Sequence, residues 1–382
     1  MRKFSLDRGS TDTSVALDAL RAIAAQMVCV GHGLVFFSVG NWLKPPASPY
    51  IQNVGVLLFF VMSGFWITAT LITNAARPEY SFFDYFIDRF ARIYSALIPA
   101  LVLIIVVDAV TIWLTGEITI ERNYNLKTFV ANLAMLEGYR GIYGPSHLQW
   151  ATFGSAAPFW TLAIEWHIYM LVGAVFFLLK GRGPWLLLIP VALFFGQTPF
   201  HLLFGAFQED GGGTGLFALW LGGAALYLFF RCYVPPAFLS VLALFAAGAA
   251  YFWMVTPGRE YNMATYFALV AVIGSIIAIT QWTNEAGSVR VVRIAADYSF
   301  TLYLIHHTIM AAIMTTMPSA RGPAWFWTAV VSSNIVAYLL ARPFEMRHKE
   351  LARWLRSFGR TTTRTNKKWT ASNSSAPNHD TL

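Results

Sequence analysis

Residues 17–36 read LDALRAIAAQMVCVGHGLVF. The run is long and apolar enough for a membrane-crossing helix, which needs about 20 such residues. Yet it holds Arg21 and His32. An ionisable group in the bilayer costs at least ~2.5–3.5 kcal/mol, so a purely lipid-facing helix should carry neither. The step from Arg21 to His32 turns a helix by roughly 1100°, about 20° past three full turns, and raises it by about 16 Å. The two side chains therefore share one face at different depths. Something polar runs along that face.

The rest of the chain extends this reading. Of 382 residues, 57% are hydrophobic and 12% charged, with a mean hydropathy of +0.53. Apolar runs near 20 residues recur at 15–39, 52–73, 91–115, 157–179, 184–205, 214–231, 234–256, 264–282, 298–317 and 324–342. They are continuous rather than alternating, which favours helices over a β-barrel. The expected fold is all-α: a polytopic membrane protein with about ten transmembrane helices. Charge placement orients it. With the N-terminus inside, inner segments hold 20 of the 27 basic residues and outer segments 6, with Arg21 in the first span. The positive-inside rule then places both termini in the cytoplasm. Residues 1–14 form a polar cytoplasmic segment with no small-residue cleavage site after it, so no signal peptide is expected to be removed. Residues 15–345 form the membrane domain. Residues 346–382 form a basic tail whose first part suits an interfacial helix on anionic lipid and whose end reads as disordered. Cys29 and Cys232 imply neither a disulfide framework nor a metal cluster.

The longest outer loop, 116–156, contains a short apolar stretch at 126–136, too short to span and suited to a re-entrant or interfacial position. Residues 138–150 are rich in Gly, Tyr and Pro and face outward, near any acceptor. The QEDGGGT stretch at 208–214 reads as a flexible outer turn.

Several polar residues within the spans admit a structural and a functional reading. Arg21 has Asp18 one turn away, so a local ion pair competes with a functional role. His32 lies between Gly31 and Gly33, which leave room for another backbone or a ligand. Glu165, in FWTLAIEWHIY (159–169), lies about 12 Å from the outer surface and His32 about 10 Å, so the two can meet. A carboxylate beside a histidine orients the ring and raises its basicity, as a general base requires; an interhelical hydrogen bond is the structural alternative. Asp108 has similar depth but no surrounding motif. Arg89 and Arg92 share a face at the inner end of the third span. They suit bidentate phosphate binding as well as plain positive-inside anchoring, and Pro99 marks a helix break soon after. His306 and His307 lie near mid-membrane and point about 100° apart, so only one can face a site squarely. No metal-ligand spacing, phosphate loop, nucleophile elbow or dinucleotide glycine pattern occurs. No metal and no nucleic-acid partner are expected.

Together these segments resemble the acyltransferase family 3 of integral-membrane acyltransferases, over about residues 15–345. Arg21 and His32 match its R-x10-H signature. VGVLLFFVMSGFWI (54–67) resembles its second-helix motif, with Leu57 where an aspartate is usual. RFARIY (89–94) matches its R-x-x-R segment, with Ser95 replacing the common proline. FWTLAIEWHIY keeps the glutamate and tyrosine of its fourth-span motif as Glu165 and Tyr169. YSFTLYLIHH (298–307) places its histidine at His306, and Phe344-Glu345 resembles its closing pair. The resemblance implies transfer of an acyl group, commonly acetyl, from cytoplasmic acyl-CoA to a hydroxyl of a surface glycan or lipid-linked sugar, in a bacterial inner membrane. It implies His32 and Glu165 at the chemical step, Arg89 and Arg92 at the CoA phosphates, and Arg21 on the route between. Tyr169, His306 and Trp160 would meet the substrate. Membrane lipid is the other expected partner, and a homo-oligomer is compatible with the sequence. A proton-coupled transporter or exporter is the competing reading, because intramembrane Arg, His and Glu suit it too. The paired broken helices common in such carriers are not evident.

Overall fold

A computed structural model describes residues 4, 6, 11–138, 150–283 and 290–358 of the chain. Each of the ten apolar runs contains a helix. These are α1 (Asp12–Phe36), α2 (Ile51–Asn74), α3 (Phe82–Thr115), α6 (Phe159–Leu179), α7 (Trp185–His201), α8 (Leu216–Cys232), α9 (Ala237–Met254), α10 (Met263–Thr280), α12 (Ser299–Thr316) and α13 (Pro323–Ala341). Short helices α4 (Ile118–Asn123) and α5 (Leu126–Leu133) follow α3, and α11 (Arg290–Asp297) leads into α12. A terminal helix covers 348–358. Among the described residues the only β pairing is one isolated bridge between Glu137 and Trp150.

Seven helices are long and apolar enough to cross a membrane: α1, α2, α3, α6, α9, α10 and α13 with its continuation to Phe358. Apolar α7 and α8 have 17 residues each. At 18 residues α12 lies outside the seven and carries His306 and His307. The protein is an all-helical integral membrane protein.

Burial separates a central group of helices from a rim. Lipid cannot drive apolar surfaces together as water does, so membrane helices associate where small residues let backbones approach. The α2–α8 pair shows this. A Cβ on Gly64 would stand 1.9 Å from the Trp220 carbonyl oxygen, and one on Gly223 would stand 2.0 Å from that of Val61. Beside α2 lies α1, and α12 packs on α1, α3 and α13. At the rim, α9 presents Phe238, Phe245, Phe252 and Trp253, all largely exposed. That is the surface a lipid-facing helix offers.

Two expectations change. The third span was expected to start at residue 91, but α3 begins at Phe82. Ser81 caps it: its hydroxyl accepts from the Asp84 amide while the Asp84 side chain accepts from the Ser81 amide. Asp84, Asp88 and Arg89 interrupt the apolar pattern there without breaking the helix. Arg89 and Arg92 consequently sit about two to three turns inside α3. The break expected near Pro99 is absent, because the helix runs through Pro99 to Thr115. A membrane helix tolerates a proline where neighbouring groups meet the freed backbone.

The short stretch at 126–136 forms α5, with Leu126 and Val130 exposed. The expected outer loop at 138–150 falls outside the described residues except at its two ends, and so does the tail beyond 358.

Candidate active site

Helix α1 delivers Arg21 and His32 to the α11–α12 side of the bundle. Arg21 Nη2 donates to the Ala296 carbonyl (3.0 Å), and His32 meets His306 on α12. The two glycines beside His32 are filled by protein. A Cβ on Gly31 would lie 2.7 Å from the Gln52 backbone nitrogen, and one on Gly33 would lie 3.1 Å from the Phe326 ring.

Hydrogen bonding orients the histidines. His306 Nδ1 donates to the Leu302 carbonyl (3.0 Å), leaving a lone pair on Nε2 of the neutral ring. That nitrogen lies 3.0 Å from His32 Nδ1, which is also 3.1 Å from the Val28 carbonyl. Both neighbours of His32 Nδ1 are acceptors, so the network assigns the His32 proton to Nδ1. The free basic nitrogen of His32 is then Nε2. His307 Nδ1 donates to the Ser155 carbonyl (2.8 Å), and its ring stands edge-on to that of His32.

Ser155 is anchored in turn. Its amide and hydroxyl donate to Asp108 (2.8 and 2.6 Å), and its hydroxyl also lies 2.8 Å from Thr308. Asp108 thus holds the loop that orients His307. The apolar neighbourhood of Asp108 in the sequence does not disclose this, since the partner is 47 residues away.

Glu165 and His32 share no hydrogen bond among the described residues. Glu165 accepts instead from the Tyr169 hydroxyl, one turn on. Ser63 lies 2.9 Å from Tyr169 and receives a hydrogen bond from Trp220 Nε1 (3.1 Å). A cavity of about 40 Å³ separates this cluster from α12. Phe59 and Phe60 of α2, Leu162 and Glu165 of α6, and Phe300 and Tyr303 of α12 line it. Tyr303 joins the two halves, because its ring neighbours His306 and its hydroxyl bonds Thr161. Phe300, Tyr303 and His306 stand three apart and so form one face of α12. Sequence reasoning missed Phe300, Tyr303, Ser63 and Trp220. Only the three-residue spacing on α12 could have signalled the first two.

The arginines occupy the opposite end. Arg92 lies 3.0 Å from the fully buried Glu345 carboxylate and 5.5 Å from the Phe300 ring centroid. Glu345 also accepts from the Thr301 amide and hydroxyl (2.9 and 2.7 Å), tying the closing pair to α12. Arg21 pairs with Asp18 at 3.3 Å. Arg89 forms no ion pair among the described residues. Its guanidinium lies 5.9 Å from the Tyr85 ring centroid, and its buried Nε lacks a hydrogen-bond partner. An unmatched guanidinium of this kind suits a phosphate.

Trp160 stacks on Phe207 and meets Tyr261 edge-on, away from the cavity. Tyr261 belongs to an open cleft with Arg259, Thr214 and Asn262. Glu137 is 5% exposed, and its Oε2 lacks a hydrogen-bond partner among the described residues. Burial pushes that carboxyl well above the usual carboxylate range.

The profile of the acyltransferase domain matches residues 14–342. A protein of Shigella phage Sf6 named O-acetyl transferase is 24% identical over 338 residues, covering 83% of this chain and 91% of the phage protein. No solved structure matches the chain. The matched region holds Arg21, His32, the α3 arginines, Glu165 and the α12 histidines, and leaves out Glu345 and the terminal helix. The chain belongs to this family of membrane acyltransferases and is an enzyme that transfers acyl groups.

Proposed function

We propose that the protein moves an acetyl group from cytoplasmic acyl-CoA to a hydroxyl of a surface glycan or lipid-linked sugar, from a bacterial inner membrane. In this reading all ten long helices span, and both termini face the cytoplasm. The observation that carries the proposal is the α12 ladder Phe300–Tyr303–His306. It runs from the arginine end to His32, past an apolar cavity. The name of the phage relative supports acetyl as the group and oxygen as its acceptor.

Acyl-CoA supplies an activated acyl carbon as its thioester. Arg89 offers the unmatched charge for a CoA phosphate, and Arg92 is steadied beside it by Glu345. His32 removes the acceptor hydroxyl proton at Nε2 while the oxygen forms its bond to the acyl carbon. The carbon–sulfur bond breaks, and His32 returns the proton to the departing sulfur. His306 holds His32 in the required tautomer, the role that a carboxylate fills elsewhere. Glu165 braces Tyr169 on the far wall of the cavity. The open cleft at Tyr261 and Arg259, whose hydroxyls, amide and aromatic ring suit a sugar, is the acceptor entrance.

Purified protein given acetyl-CoA should release free thiol and pass acetyl to an acceptor sugar. Uptake of acetyl-CoA or glycan into vesicles without thiol release would make it a carrier instead.

A further inference from the structure

The chain beyond residue 342 lies outside the region matched by the acyltransferase domain, and it returns to the arginine end. Two anchors lay it along α3. Glu345 pairs with Arg92 (3.0 Å), and Arg356 pairs with Asp84 (3.5 Å) and Asp88. Asp84, Asp88 and Arg92 are spaced by four, so they form one face of α3, and that face meets the terminal segment. Arg89 falls between the two anchors, about 100° round the helix from Asp88. Its buried Nε has no hydrogen-bond partner among the described residues.

Within the terminal segment, His348 has a nitrogen to spare. Its ring is half-buried, and Nδ1 donates to the Glu345 carbonyl (2.8 Å). That bond fixes the ring and leaves Nε2 without a hydrogen bond among the described residues. The charges that bear on the ring are those of Arg92, Lys349 and Arg89, all positive. Burial, followed by the Arg92 charge, pushes its pKa down to about 4, so the ring stands neutral at pH 7. Glu345 pairs with Arg92, and no carboxylate pairs with Arg89 or Lys349 among the described residues. The surroundings of Nε2 are therefore short of an anion.

We infer that His348 is a third ligand of the acyl-CoA phosphates, beside Arg89 and Arg92, presented from the wall that the terminal segment builds. The inference rests on the acyl-CoA reading. A phosphate here offsets the positive charges, and Nε2 then takes up a proton from solvent. The imidazolium donates from both nitrogens, to the Glu345 carbonyl and to a phosphate oxygen. Binding and proton uptake are thereby linked. The free ring titrates near 4, and the phosphate raises that value. Between the two values affinity falls as pH rises, because the complex holds the extra proton.

The test measures binding of CoA and of dephospho-CoA to the purified full chain, with Tm alongside. Two variants separate the two ring nitrogens. His348→Asn keeps a donor near the position of Nδ1 and removes Nε2. His348→Gln keeps a donor near Nε2 and removes Nδ1. For a phosphate ligand, His348→Asn is the damaging change: CoA affinity should fall about tenfold or more, the worth of a charged hydrogen bond, and His348→Gln should lose less. A loss shared by dephospho-CoA marks the 5′-diphosphate as the group held, and a loss confined to CoA marks the 3′-phosphate. The advantage of wild type over His348→Asn should shrink from about pH 6 to about pH 8. Arg231→Gln, which removes an exposed charge on α8, should leave affinity unaltered. Wild-type CoA affinity in His348→Asn would overturn the third ligand and leave the acyl-CoA reading standing. So would the reverse order, with His348→Gln the weaker binder, because a ring that only braces the Glu345 carbonyl predicts that order. So would an advantage that does not shrink as pH rises. Failure of wild type to bind CoA would overturn the donor reading, and the role of His348 with it.

Discussion

The two ends of the α1–α12 face are built on opposite principles. At the histidine end, hydrogen bonds close on neutral partners: Leu302 on His306, His306 and Val28 on His32, and Ser155 on His307. No carboxylate hydrogen-bonds these three rings among the described residues. At the arginine end, charges are matched unevenly. Asp18 answers Arg21, Glu345 answers Arg92, and Arg89 has no carboxylate partner among the described residues. Neutral hydrogen bonding fixes which nitrogen is basic without burying ions, whose desolvation costs several kcal/mol each. Leaving one guanidinium unmatched creates affinity for an anion at a stated place. In the proposed reading one end moves a proton and the other holds a charge.

Four substitutions can break or sharpen this contrast. His32→Ala should lower acyl transfer by roughly 10²–10⁴-fold, the usual worth of a general base, with CoA affinity kept. Transfer rates and donor binding on the same preparation decide it. Glu345→Ala strips Arg92 of its buried partner. Breaking a buried pair costs ~3–5 kcal/mol, and the partial exposure of Arg92 sets the expectation at about 3 kcal/mol, read as a lower Tm in detergent. Arg89→Ala should raise the acyl-CoA KM by roughly 10–100-fold with little change in kcat, the signature of lost binding rather than lost chemistry. An unchanged KM would reduce Arg89 to a membrane anchor. His306→Leu should cost about tenfold in kcat, one hydrogen bond's worth, with KM held. If it costs as much as His32→Ala, the two rings act as one unit.

Much of this was legible before the structure, for identifiable reasons. Apolar length marked every long helix, because lipid imposes it. Helical geometry put Arg21 and His32 on one face, and both do turn to the α11–α12 side. Boundaries were less legible where charges enter a helix, as at Asp84 and Asp88 before Arg89, since hydropathy does not see a capping box. Depth alone placed Glu165 level with His32, but depth says nothing about rotation. The rotation of α6 turns Glu165 to Tyr169 and the cavity, while that of α12 brings His306 to His32. The pairing of Arg92 with Glu345 spans most of the chain and has no local signal. Nor has the Ser155 bridge, which links α3 to α12 through a loop.

The terminal helix adds to the arginine end. Arg356 reaches Asp84 at 3.5 Å and also pairs with Asp88, which receives a hydrogen bond from Tyr80 (3.1 Å). The start of the basic tail is thereby pinned to the first turns of α3, two turns before Arg92. Exposed Trp354 and Phe358 suit an interfacial position beside it.

The central claim is that acyl transfer from CoA depends on a proton taken by His32. Its most direct test is label transfer in sealed vesicles with the protein inserted, acetyl-CoA carrying a labelled acetyl group on the cytoplasmic side and a sugar acceptor on the other. Wild type should release thiol on the donor side and place label on the acceptor hydroxyl, and His32→Ala should do neither while still binding CoA. Labelled acetyl-CoA crossing intact, or wild-type transfer by His32→Ala, would contradict the account.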